Sequence, residues 1–440
     1  MTNSDILAKP DVKGAEEPDL SSRLSVFAQG FAFPTSLAFD ENGRMFLAES
    51  GLPFAGEPSG GRIWQIEDDG SRRLLLEGLR PPVNGLTCHD GWMYISEGGY
   101  PARISRWKPG RTLEEVISGF PGPGNYHLNM SVIGPNEDLY FSHGAMTNTG
   151  IIGLDAYELG WLRRLPHAHD VPGYDITLSG INIETSDPTL SQSASARTGA
   201  FSPFGVSTQP GQQIQRRLPC TASVMRCKLD GSSLELIAWG LRNAYGLCFL
   251  RDGRLLATDQ GADDRGSRPV GGVPDLLFEV KPGGWYGWPD FICGKPITHP
   301  AFRPMRGPAP SFVLANHNQL PVPERALMQF PEHVGAVKLA EVPAHVSRWR
   351  GQILVALFGD ERPMTAPPGP RAGRNLASIN TRTWDLKILA APFFERPIDI
   401  AFHPVDPTLF VLDFGQFEMN GHHGISAEPR SGRIWRLFLG

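Results

Sequence analysis

A two-strand unit recurs six times along the chain, and a fold built on long helices has no place for it. Each copy has a small or polar residue, a short apolar strand, a turn, and a second apolar strand that ends on a polar residue. The clear copies pair Ser36–Phe39 with Met45–Glu49, Gly85–Cys88 with Met93–Glu97, and Ser131–Gly134 with Leu139–His143. Gly246–Phe249 with Leu255–Asp259 and Asp399–Phe402 with Leu409–Asp413 follow the same plan, and a degenerate copy joins Ala336–Leu339 to Ile353–Phe358. Turns such as Asp40–Gly43, His89–Gly91 and Arg251–Gly253 suit tight reversals, so each copy reads as an antiparallel hairpin.

A third alternating strand follows several hairpins, at Gly61–Ile66, Ala102–Trp107, Val224–Leu229 and Gly432–Leu437. The first copies lie about 45 to 50 residues apart, the size of a four-stranded propeller blade. The spacing predicts an all-β fold, a six-bladed β-propeller spanning 24–440. Leu24–Ala28 is expected to pair with the C-terminal strands and close the ring, which removes an exposed edge. With 50 Gly and 40 Pro, no long helical pattern survives to compete. Residues 162–220 break the rhythm: they are rich in Pro, Gly, Ser, Thr and Gln, and are expected to form a long inserted loop that covers one face like a lid. Residues 1–23, polar and acidic, are expected to be a disordered tail.

Charge and hydropathy exclude several partners. With 41 basic and 46 acidic side chains the net charge is −5, and no Lys/Arg run offers a nucleic-acid track. No apolar stretch approaches the ~20 residues of a membrane span. The N-terminus has neither the basic start nor the apolar core of a secretory signal, so the chain as written is expected in the cytoplasm, or in the periplasm if a signal has been removed. Five scattered cysteines fit reduced thiols.

In a propeller the loops entering each first strand and leaving each second strand share one face. Asn84, His127 with Asn129, Arg242 with Asn243, and Glu395 with Arg396 enter there; Glu97, His143, Gln260 with Gly261, and Asp413 leave there. Acids, bases, cations and amides therefore converge on one mouth of the channel, where a ligand site is expected. Asp263 and Asp264 read as solvated loop acids, His167, His169 and Asp170 lack a clear further metal ligand, and His422 and His423 read as loop residues. Trp285, Tyr286 and Trp288 suit either an aromatic wall or packing between blades.

At these mouth positions the chain resembles the pyrroloquinoline quinone (PQQ) dependent glucose/sorbosone dehydrogenases, soluble six-bladed enzymes. The residues that carry the resemblance are Gly240–Leu247, Asp259-Gln260-Gly261 and Pro282–Pro289, supported by Tyr126-His127 and Arg396–Asp399. The resemblance implies that His127 is the catalytic base that takes a substrate hydroxyl proton while hydride passes to the quinone. It implies that Asn84, Arg242, Asn243, Gln260 and Arg396 bind the cofactor, and that the carbonyls of Gly261 and Ala262 ligate Ca²⁺. Imidazole titrates near neutrality, Arg pairs with carboxylates through two bonds, and calcium takes oxygen ligands, so each residue type suits its implied role.

The chain departs from that pattern at Tyr126, where the sugar dehydrogenases place an Asp beside the base, at Ile398 in place of a second Arg, and at Phe358 and Gly359 where a Lys is expected. Three readings therefore stand: a PQQ- and Ca²⁺-dependent oxidoreductase of sugars or other alcohols that needs an electron acceptor; a PQQ-free enzyme on the same scaffold, such as a metal-assisted lactone hydrolase or an isomerase acting through His127; and a non-catalytic binding propeller. The first is preferred on the residue matches, and a small-molecule substrate is expected.

Overall fold

The fold is taken from a computed structural model, which describes residues 23–190, 194–389, 393–421 and 424–439. The expected tail, apart from Arg23, and the pair His422 and His423 lie outside the described residues.

Six sheets form the blades of a propeller. Blade 1 runs Pro34–Phe39, Met45–Glu49, Gly61–Ile66 and Arg72–Leu79. Blade 2 runs Val83–His89, Trp92–Glu97, Ala102–Trp107 and Glu114–Phe120. Blade 3 takes Leu128–Ile133, Leu139–His143, Ser223–Cys227 and Glu235–Trp239, with Gly284–Trp285 added at its rim. Ala244–Phe249, Leu255–Asp259, Pro274–Glu279 and Met328–Glu332 make blade 4. Ala336–Glu341, Gln352–Leu357, Asn375–Asn380 and Leu386–Leu389 make blade 5. Blade 6 is closed from both chain ends: Pro397–Phe402, Thr408–Asp413 and Gly432–Phe438 are joined by Leu24–Phe31, which pairs Leu24 with Leu437 and Gln29 with Arg433.

The first strand of each blade packs against the first strands of both neighbours, so these six strands line the channel. Apolar side chains fill the gaps between blades; Phe46, Ala48 and Ile63 of blade 1, for example, meet Leu86, Met93 and Ile95 of blade 2. Each large aliphatic buried this way stabilises the ring by about 1.5–3 kcal/mol. A bulge recurs in every blade. The pairing of first and second strand slips between Pro34 and Ser36, Val83 and Gly85, Leu128 and Ser131, Ala244 and Gly246, Ala336 and Leu339, and Pro397 and Asp399. A bulged residue leaves the ladder and its side chain is re-aimed. All six slips fall at the end of the first strand nearest the loops that enter from the mouth.

The inserted segment, 162–220, falls between the third and fourth hairpins as expected, within the connection between the second and third strands of blade 3. Its described residues carry short strand pairs rather than a bare loop. Asn182–Ser186 pairs with Ser195–Gly199, and Ile176–Thr177 pairs with Gln213–Ile214. The segment leans on the loops that follow the third strand of blade 4: Ser179 N–H donates to Val313 C=O (2.9 Å), Tyr174 Oη donates to Gly283 C=O (2.9 Å), and Phe201 packs edge-on against Trp288 (5.8 Å). Backbone and apolar partners there tie it to blade 4.

Candidate active site

A cavity of about 230 Å³ opens at the mouth of the channel. Its wall is largely the set of bulged residues: Thr35, Asn84, Asn129, Tyr245, Val337 and Ile398, one from each blade, all line it. His127, Arg242, Asn243, Gln260 and Gly261 line it too, as do Phe358 and Gly359. The sequence thus brought most of its candidates to one place. None of the described residues between 162 and 220 lines this cavity.

His127 enters blade 3 just before Leu128. Its Nδ1 is buried and has no hydrogen-bond partner among the described residues. Burial, reinforced by the positive potential of His143 and of Arg164 at the start of the 162–220 segment, lowers its pKa to about 3, so the ring is neutral at physiological pH. Neutral imidazole has one ring nitrogen that can accept a proton and one N–H that can donate a hydrogen bond.

Arg242 is fully committed inside the protein. Its Nε donates to Asn148 C=O, Nη1 to the carbonyls of Gln260 and Gly261, and Nη2 to Asn148 Oδ1 (2.8 Å) and Asp263 Oδ2 (2.6 Å), so every N–H of the fork has an acceptor. Asp263 is therefore a buried ion-pair partner rather than a solvated acid, bonded also by Arg265 Nε (2.9 Å) and Tyr126 Oη (3.2 Å). Burial opposes its charge, but Arg242 and Arg265 outweigh that and hold its pKa below the usual value. Tyr126, in the place of the expected Asp, carries the Arg242 guanidinium 4.5 Å from its ring centroid. Asp264 accepts the backbone N–H groups of Met305 and Arg306.

The amides are linked in a chain. Asn129 Nδ2 donates to Asn243 Oδ1 (2.9 Å), Asn243 Nδ2 to Gln260 Oε1 (2.7 Å), and Asn84 Nδ2 to Leu128 C=O (3.1 Å). Gln260 Nε2 and Asn84 Oδ1 have no protein partner in this chain of bonds.

Two candidates sit elsewhere. Arg396 is 0% exposed and does not line the cavity; Nε donates to Phe417 C=O, Nη1 to Asp360 C=O and Nη2 to Glu418 Oε2 (2.8 Å). The Phe417–Met419 strand supplies the counter-charge that a ligand carboxylate would otherwise provide. Ala262 is 7% exposed and packs in the apolar core of blade 4. Of the carbonyl pair expected for calcium, then, that of Gly261 already accepts from Arg242, and Ala262 lies outside the lining. Among the described residues no three His, Cys, Asp or Glu side chains gather as a metal site would require. Asp170 is a structural hub for Met146 N–H, Thr147 and Thr221 instead. Trp285, Tyr286 and Trp288 are buried packing residues, with Trp288 Nε1 donating to Asn148 C=O.

Three mouth acids and one imidazole escaped the sequence reading. Asp275, at the head of the third strand of blade 4, accepts Gly261 N–H and Ala336 N–H. His333, Asp360 and Glu361 complete the lining. The available signal was position: Asp360 and Glu361 lie just past the second strand of blade 5, in the loop that leaves it at the mouth.

A six-bladed propeller with a polar, carboxylate-lined mouth is the class these features define. The fold matches solved structures over nearly all of their length. A putative oxidoreductase (glucose dehydrogenase) of Thermus thermophilus aligns with TM-score 0.54 at 17% identity, covering 94% of this chain and 99% of that one. The PQQ domain of a Coprinopsis cinerea pyranose dehydrogenase aligns with TM-score 0.55 at 12% identity (94% and 95%), and a calcium structure of a Trichoderma reesei carbohydrate-active enzyme of family AA12 with 0.54 at 14% (95% and 95%). At such identities the likeness is one of fold. No protein-family profile and no curated protein sequence matches the chain.

Proposed function

We propose that the chain is an enzyme acting on a small hydroxyl-bearing molecule, a sugar or other alcohol, with His127 taking the hydroxyl proton. The observation that carries this reading is the neutral imidazole, unpartnered at Nδ1, in a cavity lined by amides and carboxylates. Oxidation of the alcohol is the outcome favoured by the fold's likeness to glucose and pyranose dehydrogenases.

PQQ as the hydride acceptor would have to be held by these mouth residues. It carries three carboxylates, and a desolvated carboxylate without a partner is costly. The lining offers one guanidinium, Arg242, already paired with Asp263, against the carboxyl groups of Asp263, Asp275, Asp360 and Glu361. Arg396 is neutralised by Glu418, and Ile398, Phe358 and Gly359 add no cation. The residues do not fit PQQ, nor does the Gly261 carbonyl, bonded by Arg242, stand free for calcium.

A second reading is non-redox proton transfer, as in lactone hydrolysis or isomerisation. It is favoured by the presence in one cavity of a free base, His127, and a free acid, Glu361, which together need no electron acceptor. One experiment separates the readings: aldoses and simple alcohols are assayed for reduction of an artificial acceptor, with and without added PQQ and Ca²⁺, while aldonolactones are followed by proton release. Dye reduction that His127→Gln abolishes supports oxidation. Lactone turnover without dye reduction moves the assignment to the second reading, and a folded protein inert in every arm refutes both.

A further inference from the structure

Each acid of the mouth except Glu361 is spent on holding the protein together. Asp263 is paired with Arg242 and Arg265, Asp275 accepts two backbone N–H groups, and Asp360 accepts Ala372 N–H. The Glu361 carboxyl lines the cavity and makes no hydrogen bond or salt bridge among the described residues. Its main chain is nevertheless fixed. Glu361 C=O accepts Met364 N–H and Thr365 N–H, and Arg306 donates to the carbonyls of Pro363, Met364 and Ala366. A free functional group on a pinned turn is pre-organised for a ligand, because little order is lost when one binds.

The charges around it say which ligand. Arg396 and Arg265 draw the Glu361 carboxyl toward ionisation, whereas burial, Asp263 and Asp360 oppose it and prevail, leaving its pKa raised. Arg396 and Arg265 are both already paired, with Glu418 and with Asp155 and Asp263. An incoming carboxylate would meet Glu361, Asp360 and Asp275 and find, among the described lining residues, no guanidinium or ammonium group that is not already paired. A hydroxyl or an ammonium group would find an acceptor, and a protonated carboxyl would also donate to a neutral oxygen.

We propose that Glu361 selects the ligand of the mouth: its carboxyl meets a hydroxyl or ammonium group on a small polyhydroxy molecule that carries no carboxylate. This rests on the reading that the mouth binds a sugar-like molecule. Glu361 is thereby a specificity residue contributed by blade 5, opposite in charge to the Lys that the sugar dehydrogenases place in this region.

Titration calorimetry on the full chain tests it with D-glucose, D-glucosamine and D-glucuronate. The first two are expected to bind at least about tenfold more tightly than the uronate, and Glu361→Gln to weaken them by about tenfold while narrowing that gap. Equal affinity for glucose and glucuronate, or unchanged affinities in a folded Glu361→Gln protein, overturns the proposal. PQQ, a tricarboxylate, supplies a probe independent of sugar binding: it should not bind the wild-type chain and should gain affinity in Glu361→Gln and more in Glu361→Lys. If PQQ binds the wild type as well as either variant, Glu361 is not the selector, whatever the sugars do. If no sugar binds yet the PQQ series holds, charge selection by Glu361 stands and the sugar reading is the part that fails.

Discussion

Blades 1, 2, 4 and 6 end their second strand on a carboxylate, and blade 5 ends it on Leu357; the two arrangements use acid in opposite ways. In the first group the acid clasps the loop that enters the blade. Glu49 accepts Ala32 N–H (2.7 Å), Glu97 accepts Arg80 N–H (2.7 Å), Asp259 accepts Asn243 N–H (2.7 Å), and Asp413 accepts Arg396 N–H (2.8 Å) and Glu395 N–H (2.9 Å). Blade 3 substitutes His143, whose ring nitrogens lie against Pro121 and Gly144 carbonyls. Blade 5 has no such clasp of its own; Asp275 reaches across from blade 4 to bond Ala336 N–H. Its acids, displaced into the following turn, are left facing the cavity. Acid at the mouth is thus mostly joinery, and chemistry is to be sought where the joinery is missing.

The largest effect should come from breaking a clasp. Glu97 is 0% exposed, accepts Arg80 N–H, and takes Arg103 Nε (2.7 Å) and Ser105 Oγ. Glu97→Ala leaves Arg103 with only Glu115, 3.8 Å away, strips the Arg80 N–H of its acceptor, and should cost about 3–5 kcal/mol in urea unfolding. A loss below about 1 kcal/mol would mean that the clasp is incidental.

Next in size is the mouth base. His127→Gln keeps an amide of comparable reach but removes the proton acceptor, so turnover of whichever substrate the assays reveal should fall ~10²-fold or more with the fold intact. Near-normal turnover would remove His127 from the chemistry. The same variant has a signature that needs no substrate. The His127 pKa is lowered from 6.5 to about 3 on folding, so between those values the unfolded chain binds the extra proton. Its contribution to stability is therefore complete above about pH 6.5 and is lost as pH falls toward 3. Relative to wild type, His127→Gln should lose less stability between pH 7 and pH 4.5, read from paired urea titrations; parallel losses would show that His127 titrates normally.

The propeller was legible because its hairpins announce themselves: Asp40–Gly43 and Arg251–Gly253 mark turns, and short apolar runs flank them. Closure by Leu24–Phe31 was legible for the same reason. His127, Asn84, Arg242, Asn243, Gln260 and Gly261 were found because their order along the chain maps onto consecutive blades. Arg396 was misjudged because its partner, Glu418, lies in a strand after the sixth hairpin that carries no repeat signal. Glu361 was missed because Val342–Gly351 separates the two inner strands of blade 5 without a turn signature, and a degenerate copy hides which residues occupy its slots. Burial of Asp263 has no local signal either: its neighbours in sequence are small or charged, and only the approach of Arg242 and Arg265 makes it an interior ion pair.

The smallest expected effect completes the contrast between clasped and free acids. Glu361 makes no hydrogen bond through its side chain among the described residues, so Glu361→Gln removes none of those contacts and should change stability at pH 7 by no more than about 0.5 kcal/mol. The sign is predictable. A carboxyl whose pKa is raised on folding holds its proton longer in the folded chain, so its contribution is present at acid pH and is lost as pH rises through the folded value. Glutamine has no proton to lose, so the variant should gain slightly on the wild type as pH climbs from 4.5 toward neutrality. Urea midpoints compared at those two pH values test this directly. A clear destabilisation by Glu361→Gln would place Glu361 with Glu49, Glu97 and Asp413 as one more structural clasp, and the distinction between blade 5 and the rest of the ring would disappear.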